Sequence, residues 1–353
     1  QRIAVNPLLT TIVCVVHRFL GKSVPEHRVT LYDKCTDVLL YEWDRAKFPD
    51  GSNVGRLDAN AKRTLLRGLA RKMHDAGDAE VAEALVVGHF RELLPSLGAK
   101  DADPAALLAE IRDRSGLLVE KRPGYFGFAH LTFQEYLTAL DYGFGGDWKK
   151  LPAKSKQHRW HEVIALTAGV SGVDAGWLIT ELLNARSNEA VVLAARCLET
   201  ATSVPLAVRE RTKAELKRLL PPSSPEEAGA ISNMGATVAP LLLEMLPTVA
   251  GLEFRNTMIA LAATYYVPAV PVIARYLTHP VHWVDAAGSL LMFHSKNDAA
   301  IRALREWLPN CPGGVLEVYA REYPSHPLYD LIVSLLKQKT QESQPAARSK
   351  RTA

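Results

Sequence analysis

The sequence predicts a mainly α-helical chain of 353 residues interrupted by one β-hairpin, and three observations carry that prediction. First, Leu117-Leu-Val-Glu-Lys121 and the segment Tyr125 to Phe128 hold β-formers on either side of Arg122-Pro123-Gly124. They read as two strands joined by a three-residue, Gly-containing loop. Second, Thr132, Phe133, Tyr136 and Leu137 to Leu140 recur at i, i+3, i+4 spacing, which is one face of an amphipathic helix. His130 sits at the joint between strand and helix. Third, apolar helical segments follow one another from about residue 160 to about residue 337, with no strand-like alternation between them. A hairpin between helices, with a further helix packed behind it, is the plan of a winged helix. The tandem helices beyond it read as a repeat arm.

In chain order, Asn6 caps a first helix with Pro7 in its first turn, where the missing N–H has no helical partner to lose. That helix runs to about Leu20, and Gly21 ends it. A second helix runs from about Glu26 through Trp43. Phe48-Pro-Asp-Gly-Ser-Asn53 is a loop and a subdomain boundary. Asp58 to Ala76 is helical, with Leu65, Leu66, Leu69 and Met73 on one face, and Ala79 to Leu94 reads as another helix. Asp103 caps a fifth, with Pro104 at its first position and its end near Ser115-Gly116.

Beyond the hairpin, Gly143 to about Lys156 reads as a linker with a basic run. Ala236-Thr-Val-Ala-Pro-Leu-Leu-Leu243 and recurrent small residues such as Ala262-Ala263 and Ala286-Ala287-Gly288 suit stacked helix pairs of HEAT-like character. Pro221-Pro-Ser-Ser-Pro225 is the clearest break inside the arm, and the tail from about Gln338 is polar and basic. The expected organisation is therefore a first helical subdomain over 1–55, a winged helix over 56–142, a linker over 143–158, a HEAT-like arm over 159–337 and a disordered tail over 338–353.

Composition narrows the function classes. With 48% hydrophobic residues the chain can bury substantial cores, and 42 basic against 38 acidic residues leave only +4, which demands no nucleic-acid partner. Cys14, Cys35, Cys197 and Cys311 lie far apart, as buried reduced thiols of a cytoplasmic protein would. The apolar run Leu8 to Val16 is far shorter than the roughly 20 residues of a membrane span, so no membrane anchor is expected.

Three stretches also carry a resemblance. Phe128-Ala-His-Leu-Thr-Phe-Gln-Glu-Tyr-Leu-Thr-Ala139 resembles the winged-helix signature of NACHT NTPases, the STAND-type signalling switches related to NOD-like receptors. Asn6-Pro7-Leu8-Leu9, with Leu31-Tyr-Asp-Lys-Cys35 after it, resembles the helical subdomain that follows the nucleotide-binding core of that family. Trp160-His-Glu-Val-Ile-Ala-Leu166 resembles the start of the helical region after the winged helix. The sequence holds no Gly-x-x-x-x-Gly-Lys-Ser/Thr, and Gly51-Ser-Asn-Val-Gly55 lacks the Lys-Ser/Thr of a P-loop. The resemblance therefore implies the C-terminal part of a NACHT protein, starting after the P-loop core, and the Ala, Arg and Gly usage suits a bacterial, GC-rich genome.

The same resemblance implies site residues and partners. In that family the histidine at the position of His130 contacts the phosphate of bound ADP and holds the closed state; the plainer role open to His130 is to cap the helix that follows it. The proline at the position of Pro7 packs against adenine, although Val5 and Asn6 depart from the small residue usual before it, and an ordinary first-turn proline is the other reading. The cofactors implied are ADP and ATP, with Mg in the parent protein. The partners implied are other copies of the NACHT module, for self-association, and a trigger or regulatory protein on the arm. The parent would be an ATPase of the STAND class serving signal transduction, innate immunity or antiviral defence; this chain, with no catalytic constellation, would not be an enzyme by itself.

Other candidates have plainer readings. Phe128, Phe133 and Tyr136 are expected in the core, and Gln134 and Glu135 on a solvated face. His158-x-x-His161 and His279-x-x-His282 lack the Cys or carboxylate partners of a zinc site. Lys62, Arg63, Arg67, Arg71 and Lys72 can line one face of a DNA-binding winged helix, but the expected recognition helix mixes Glu110 and Asp113 with Arg112 and Arg114, so DNA is not expected as a partner. The reading from a different class is a helical-repeat interaction scaffold without nucleotide switching, and a winged-helix transcription regulator is a third.

Overall fold

A computed structural model describes residues 28–42 and 57–342. The expected first helix with Pro7, the loop at 48–53 and the chain after residue 342 lie outside the described residues. The chain divides into two compact units, one ending at Thr212 and the other beginning at Lys213.

The first unit opens with α1 (Arg28–Asp37), which continues as a π turn (Val38–Glu42). Next comes α2 (Ala59–Ala76), where the Asp58 carboxylate accepts from the Ala61 N–H at 2.7 Å and satisfies a donor that no helical carbonyl can reach. The stripe expected on α2 is buried: Leu65, Leu66, Leu69 and Met73 are at most 1% exposed. Each such leucine stabilises the fold by about 2 kcal/mol.

Residues 79–94, expected as one helix, are corrected by the structure. Val81–Ala82 form a short strand, β1, and the helix α3 begins only at Glu83 and runs to Leu93. After α4 (Pro104–Ser115) come β2 (Leu118–Arg122) and β3 (Tyr125–Phe128). The three strands form an antiparallel sheet in the order β1-β3-β2, with Val81 opposite Phe126 and Leu118 opposite Phe128. Gly127 makes the third strand possible: a Cβ there would lie 2.5 Å from the Ala79 carbonyl oxygen, so only glycine lets that backbone lie against β3. The Glu83 N–H then donates to the Gly124 carbonyl at 2.9 Å. The hairpin turn itself is Pro123-Gly124, two residues rather than three, because Arg122 still pairs with Tyr125 across an irregularity at Lys121. Gly124 has φ 74°, the left-handed conformation that this turn needs and glycine adopts freely.

The long helix α5 (Leu131–Phe144) packs against both α2 and α6 (His161–Thr167). Between them, residues 143–158, expected as a linker, are built into the fold. They include 3₁₀ turns at Asp147–Lys154, which bury Trp148 and leave Leu151 wholly inaccessible. A second 3₁₀ turn, His158–Trp160, buries Trp160 completely, edge-on to His74 (ring centroids 4.6 Å) and Tyr142 (5.6 Å). Apolar anchors within the basic run are the physical reason it packs. The unit continues with α7 (Ala175–Asn184) and α8 (Asn188–Thr200), which pack on each other, and α8 also packs on α6. The next helix, α9 (Leu206–Lys217), carries the division between the units.

The second unit is all helix among the described residues. It holds α10 (Pro225–Ser232), α11 (Gly235–Met245), α12 (Gly251–Ala263), α13 (Val270–Arg275), α14 (Trp283–Phe293), α15 (Asp298–Trp307), α16 (Gly313–Glu322) and α17 (Tyr329–Glu342). Alternate helices stack: α10 on α12, α12 on α14, and α13 on α15. Ala260, Ala262, Ala286 and Ala287 are fully buried, as small residues at close helix crossings should be. The arm is HEAT-like in this sense. α17 carries the chain past Gln338, where the tail was expected to begin, as far as Glu342. No helix among the described residues is long and apolar enough to cross a membrane.

Candidate functional site

His130 closes β3 and opens α5. Its backbone is extended (φ −142°, ψ 144°), as an N-cap requires. The Thr132 backbone N–H donates to His130 Nδ1 at 3.2 Å, and the Thr132 hydroxyl lies 2.9 Å from the same nitrogen. Accepting these bonds leaves Nδ1 without a proton, so in the neutral ring the proton sits on Nε2. Nε2 has no hydrogen-bond partner among the described residues, and the ring is half-buried. The capping role is therefore real. It also fixes the tautomer and presents an N–H donor beside the exposed Leu131. Pro7, the other expected site residue, lies outside the described residues.

The helix behind the histidine is held rigidly. Phe128, Phe133 and Tyr136 are buried, as expected. Gln134 and Glu135 are not on a solvated face. Gln134 is 3% exposed and donates to the Asp78 carbonyl at 3.0 Å, tying α5 to the turn after α2. Tyr136 donates to Asp33 Oδ1 at 3.0 Å, and the same oxygen accepts from Arg63 Nη1 at 2.8 Å, so α1, α2 and α5 meet at one carboxylate.

The basic stripe of α2 is spent inside this unit. Lys62, only 6% exposed, pairs with Glu110 at 2.7 Å; Arg63 also reaches Asp37 at 2.5 Å; Lys72 pairs with Glu92 at 2.7 Å. Arg67 donates to Asp141 at 2.9 Å, and Arg71 bridges Asp141 (3.2 Å) and Asp147 (2.6 Å). On α4, Arg112 pairs with its neighbour Asp113 at 2.6 Å. Every cation of the stripe thus has a carboxylate of its own chain, and the stripe joins helices. These residues share one face in the sequence, but their partners lie up to 76 positions away, where no local pattern marks them.

A second ionic cluster links the winged helix to the helices that follow. Glu162 on α6 accepts from Arg28 of α1 and from Arg196 of α8. Glu135 of α5 faces the same cluster without a hydrogen-bond partner among the described residues. Burial first, and the Glu162 charge second, push its carboxyl up to about 7, with Arg28 and Arg196 pulling the other way. The cysteines are inert in comparison: burial pushes the Cys35 and Cys197 thiols up to about 12 and Cys311 to about 11. Cys14 lies outside the described residues.

The paired histidines are engaged locally. His161 Nε2 lies 2.6 Å from the Ser155 carbonyl oxygen, and His279 Nδ1 accepts from the N–H groups of Val281 and His282. His282 stacks on Phe254 with ring centroids 3.6 Å apart. Among the described residues no three potential ligands gather for a metal.

Helices α2, α3 and α4 with a sheet ordered β1-β3-β2 and a hairpin wing define a winged helix-turn-helix domain. Residues 28–142, about a third of the chain, match the family model of the winged helix-turn-helix domain C-terminal to NACHT, a match that supports a C-terminal part of a NACHT protein. The matched region starts at α1, ahead of the boundary expected at residue 56, in keeping with the bonds that Arg63 donates to Asp33 and Asp37. The domain is not the catalytic core of such a protein. No curated protein and no solved structure matched the chain.

Proposed function

We propose that this chain is the regulatory portion of a nucleotide-dependent NACHT switch, with His130 as the residue through which the winged helix senses ADP. The single observation that carries the reading is the state of the His130 ring. Its cap holds Nδ1 as an acceptor and leaves, on a half-buried ring, an Nε2–H donor with no hydrogen-bond partner among the described residues. A donor of that kind suits a phosphate oxygen, and a bond to it exists only while the winged helix is folded back on the nucleotide. ADP would hold the closed form, and exchange for ATP, with Mg held by the core, would free the winged helix and let protomers self-associate. The helical arm offers an extended surface for a trigger or regulatory protein. The partly buried ionic contacts of Asp33 and Glu162 support this reading, because they tie α1 to α2 and α5 and join α1, α6 and α8. A cytoplasmic setting and a role in innate, antiviral signalling complete the proposal.

The test uses the chain joined to its NACHT core. His130→Ala should assemble spontaneously in ADP, read as a shift in sedimentation, whereas the native protein stays in its resting state. Native-like sedimentation of the variant would instead favour a helical-repeat scaffold without nucleotide switching.

A further inference from the structure

The segment between α5 and α6 carries a feature that nucleotide switching does not use. Lys149, Lys150, Lys154, Lys156 and Arg159 fall within eleven residues, against no carboxylate in that stretch and Asp147 just before it. These cations do not hang from a mobile loop. The 3₁₀ turns beneath them are nailed down by Trp148, Leu151 and Trp160, all buried. The neighbouring carboxylates are largely committed. Asp147 takes Arg71 and Lys150, Asp75 takes the Tyr142 hydroxyl at 2.8 Å and Lys154 at 3.4 Å, and Asp141 serves Arg67 and Arg71. Lys149 and Lys156, both exposed, have no carboxylate among the described residues, and Arg159 bonds only the Asp75 backbone carbonyl, at 3.4 Å. The strip is left with a surplus of positive charge.

Aromatic surface lies beside it. Trp177 on α7 is 36% exposed, and its indole meets Trp148 edge-on with ring centroids 5.4 Å apart, so one edge is fixed while part of the ring faces solvent. Lys149 lies 5.5 Å from the centroid of the Trp148 ring, which brings cation and aromatic side by side. His158 adds an exposed ring next to His161.

We propose that this strip, Trp148 to Arg159 with Trp177, binds single-stranded nucleic acid. Phosphates take the surplus cations, and an unpaired base stacks on Trp177. The duplex-reading face of a winged helix is not involved, since its cations are already paired (Lys62 with Glu110, Arg112 with Asp113). A membrane fits less well. The strip's own aliphatic side chains, Leu151 and Pro152, are turned inward or half-buried and offer no anchor to insert.

The experiment titrates the full chain into a fluorescent single-stranded oligonucleotide of about 15 nucleotides, a length that spans one such site, and reads anisotropy over a range of salt. Native protein should bind with an affinity that falls as salt rises. Lys149→Glu combined with Lys156→Glu should weaken binding more than about 10-fold and flatten the log–log salt slope by about 1.4, two phosphate contacts at about 0.7 each for a single strand. Trp177→Ala should weaken it by about 5- to 150-fold and leave the slope unchanged, as loss of one stacked base would. Circular dichroism confirms that each variant is folded, and the lysine pair, being exposed, tests the proposal even if the Trp177 variant is not. Absence of salt-dependent binding, or variants that bind like the native chain, would overturn the proposal. So would binding to vesicles containing phosphatidylserine without binding to the oligonucleotide.

Discussion

Replacing Glu135 with glutamine should make the first unit more stable, and only above a defined pH. The Glu135 carboxyl is pushed from its ordinary 4.5 up to about 7, by burial first and by Glu162 second. The folded state therefore holds a proton that the unfolded state has released across that interval. Stability present below about pH 4.5 is lost as pH rises through about 7. At about 1.4 kcal/mol per unit, the full displacement would cost about 3 kcal/mol; screening of this partly solvated group reduces the expected figure to about 1–2 kcal/mol. The glutamine side chain keeps the shape and cannot ionise. Denaturant titration followed by amide exchange along α5 reads the unit that contains this position. Glu135→Gln should match the native chain at pH 5 and exceed it by about 1–2 kcal/mol at pH 8.5. A difference that is flat with pH, or a variant less stable at pH 8.5, would refute the reasoning and would mean that Arg28 and Arg196 need the Glu135 charge.

Two further perturbations follow. His74, His89 and His161 in the first unit, and His294 and His326 in the second, are all held below the ordinary 6.5, primarily by burial, so folding favours their neutral rings. Their contribution is present above about pH 6.5 and lost as pH falls below it, and melting temperature should decline between about pH 6.5 and 5 in both units. Gly127→Ala should force the Ala79 backbone off β3, since the new methyl would stand 2.5 Å from that carbonyl oxygen. The expected loss is about 2–3 kcal/mol, with faster exchange at Val81 and Ala82, and an unchanged melting temperature would contradict it.

The helices were legible wherever a long apolar stripe met a local stop signal. α2 shows this best: Asp58 caps it, and Leu65, Leu66, Leu69 and Met73 share the face that is buried. The hairpin was legible from Pro123-Gly124 between β-formers. β1 was not, because two residues of strand carry no periodicity, and its existence depends on Gly127, far along the chain. The packed segment at 147–160 was hidden by its lysines, which outnumber the buried Trp148, Leu151 and Trp160 that decide its structure. At the site, the position of His130 between strand and helix was readable, and so was its capping role. The tautomer was not, because it depends on which nitrogen the Thr132 N–H finds. Glu135 looked solvated because its spacing on α5 is polar; only the arrival of α6 and α8 encloses it.

The most direct measurement of the central claim is the rate of ADP release from the chain joined to its NACHT core, compared for His130→Asn and the native protein. Asparagine caps a helix as well as any residue, so α5 keeps its start while the Nε2–H donor is lost. A lost hydrogen bond to a charged phosphate is worth about 1.5–3 kcal/mol, so release should accelerate about 10- to 150-fold with the melting temperature unchanged. Release at the native rate would show that His130 caps α5 and does nothing more.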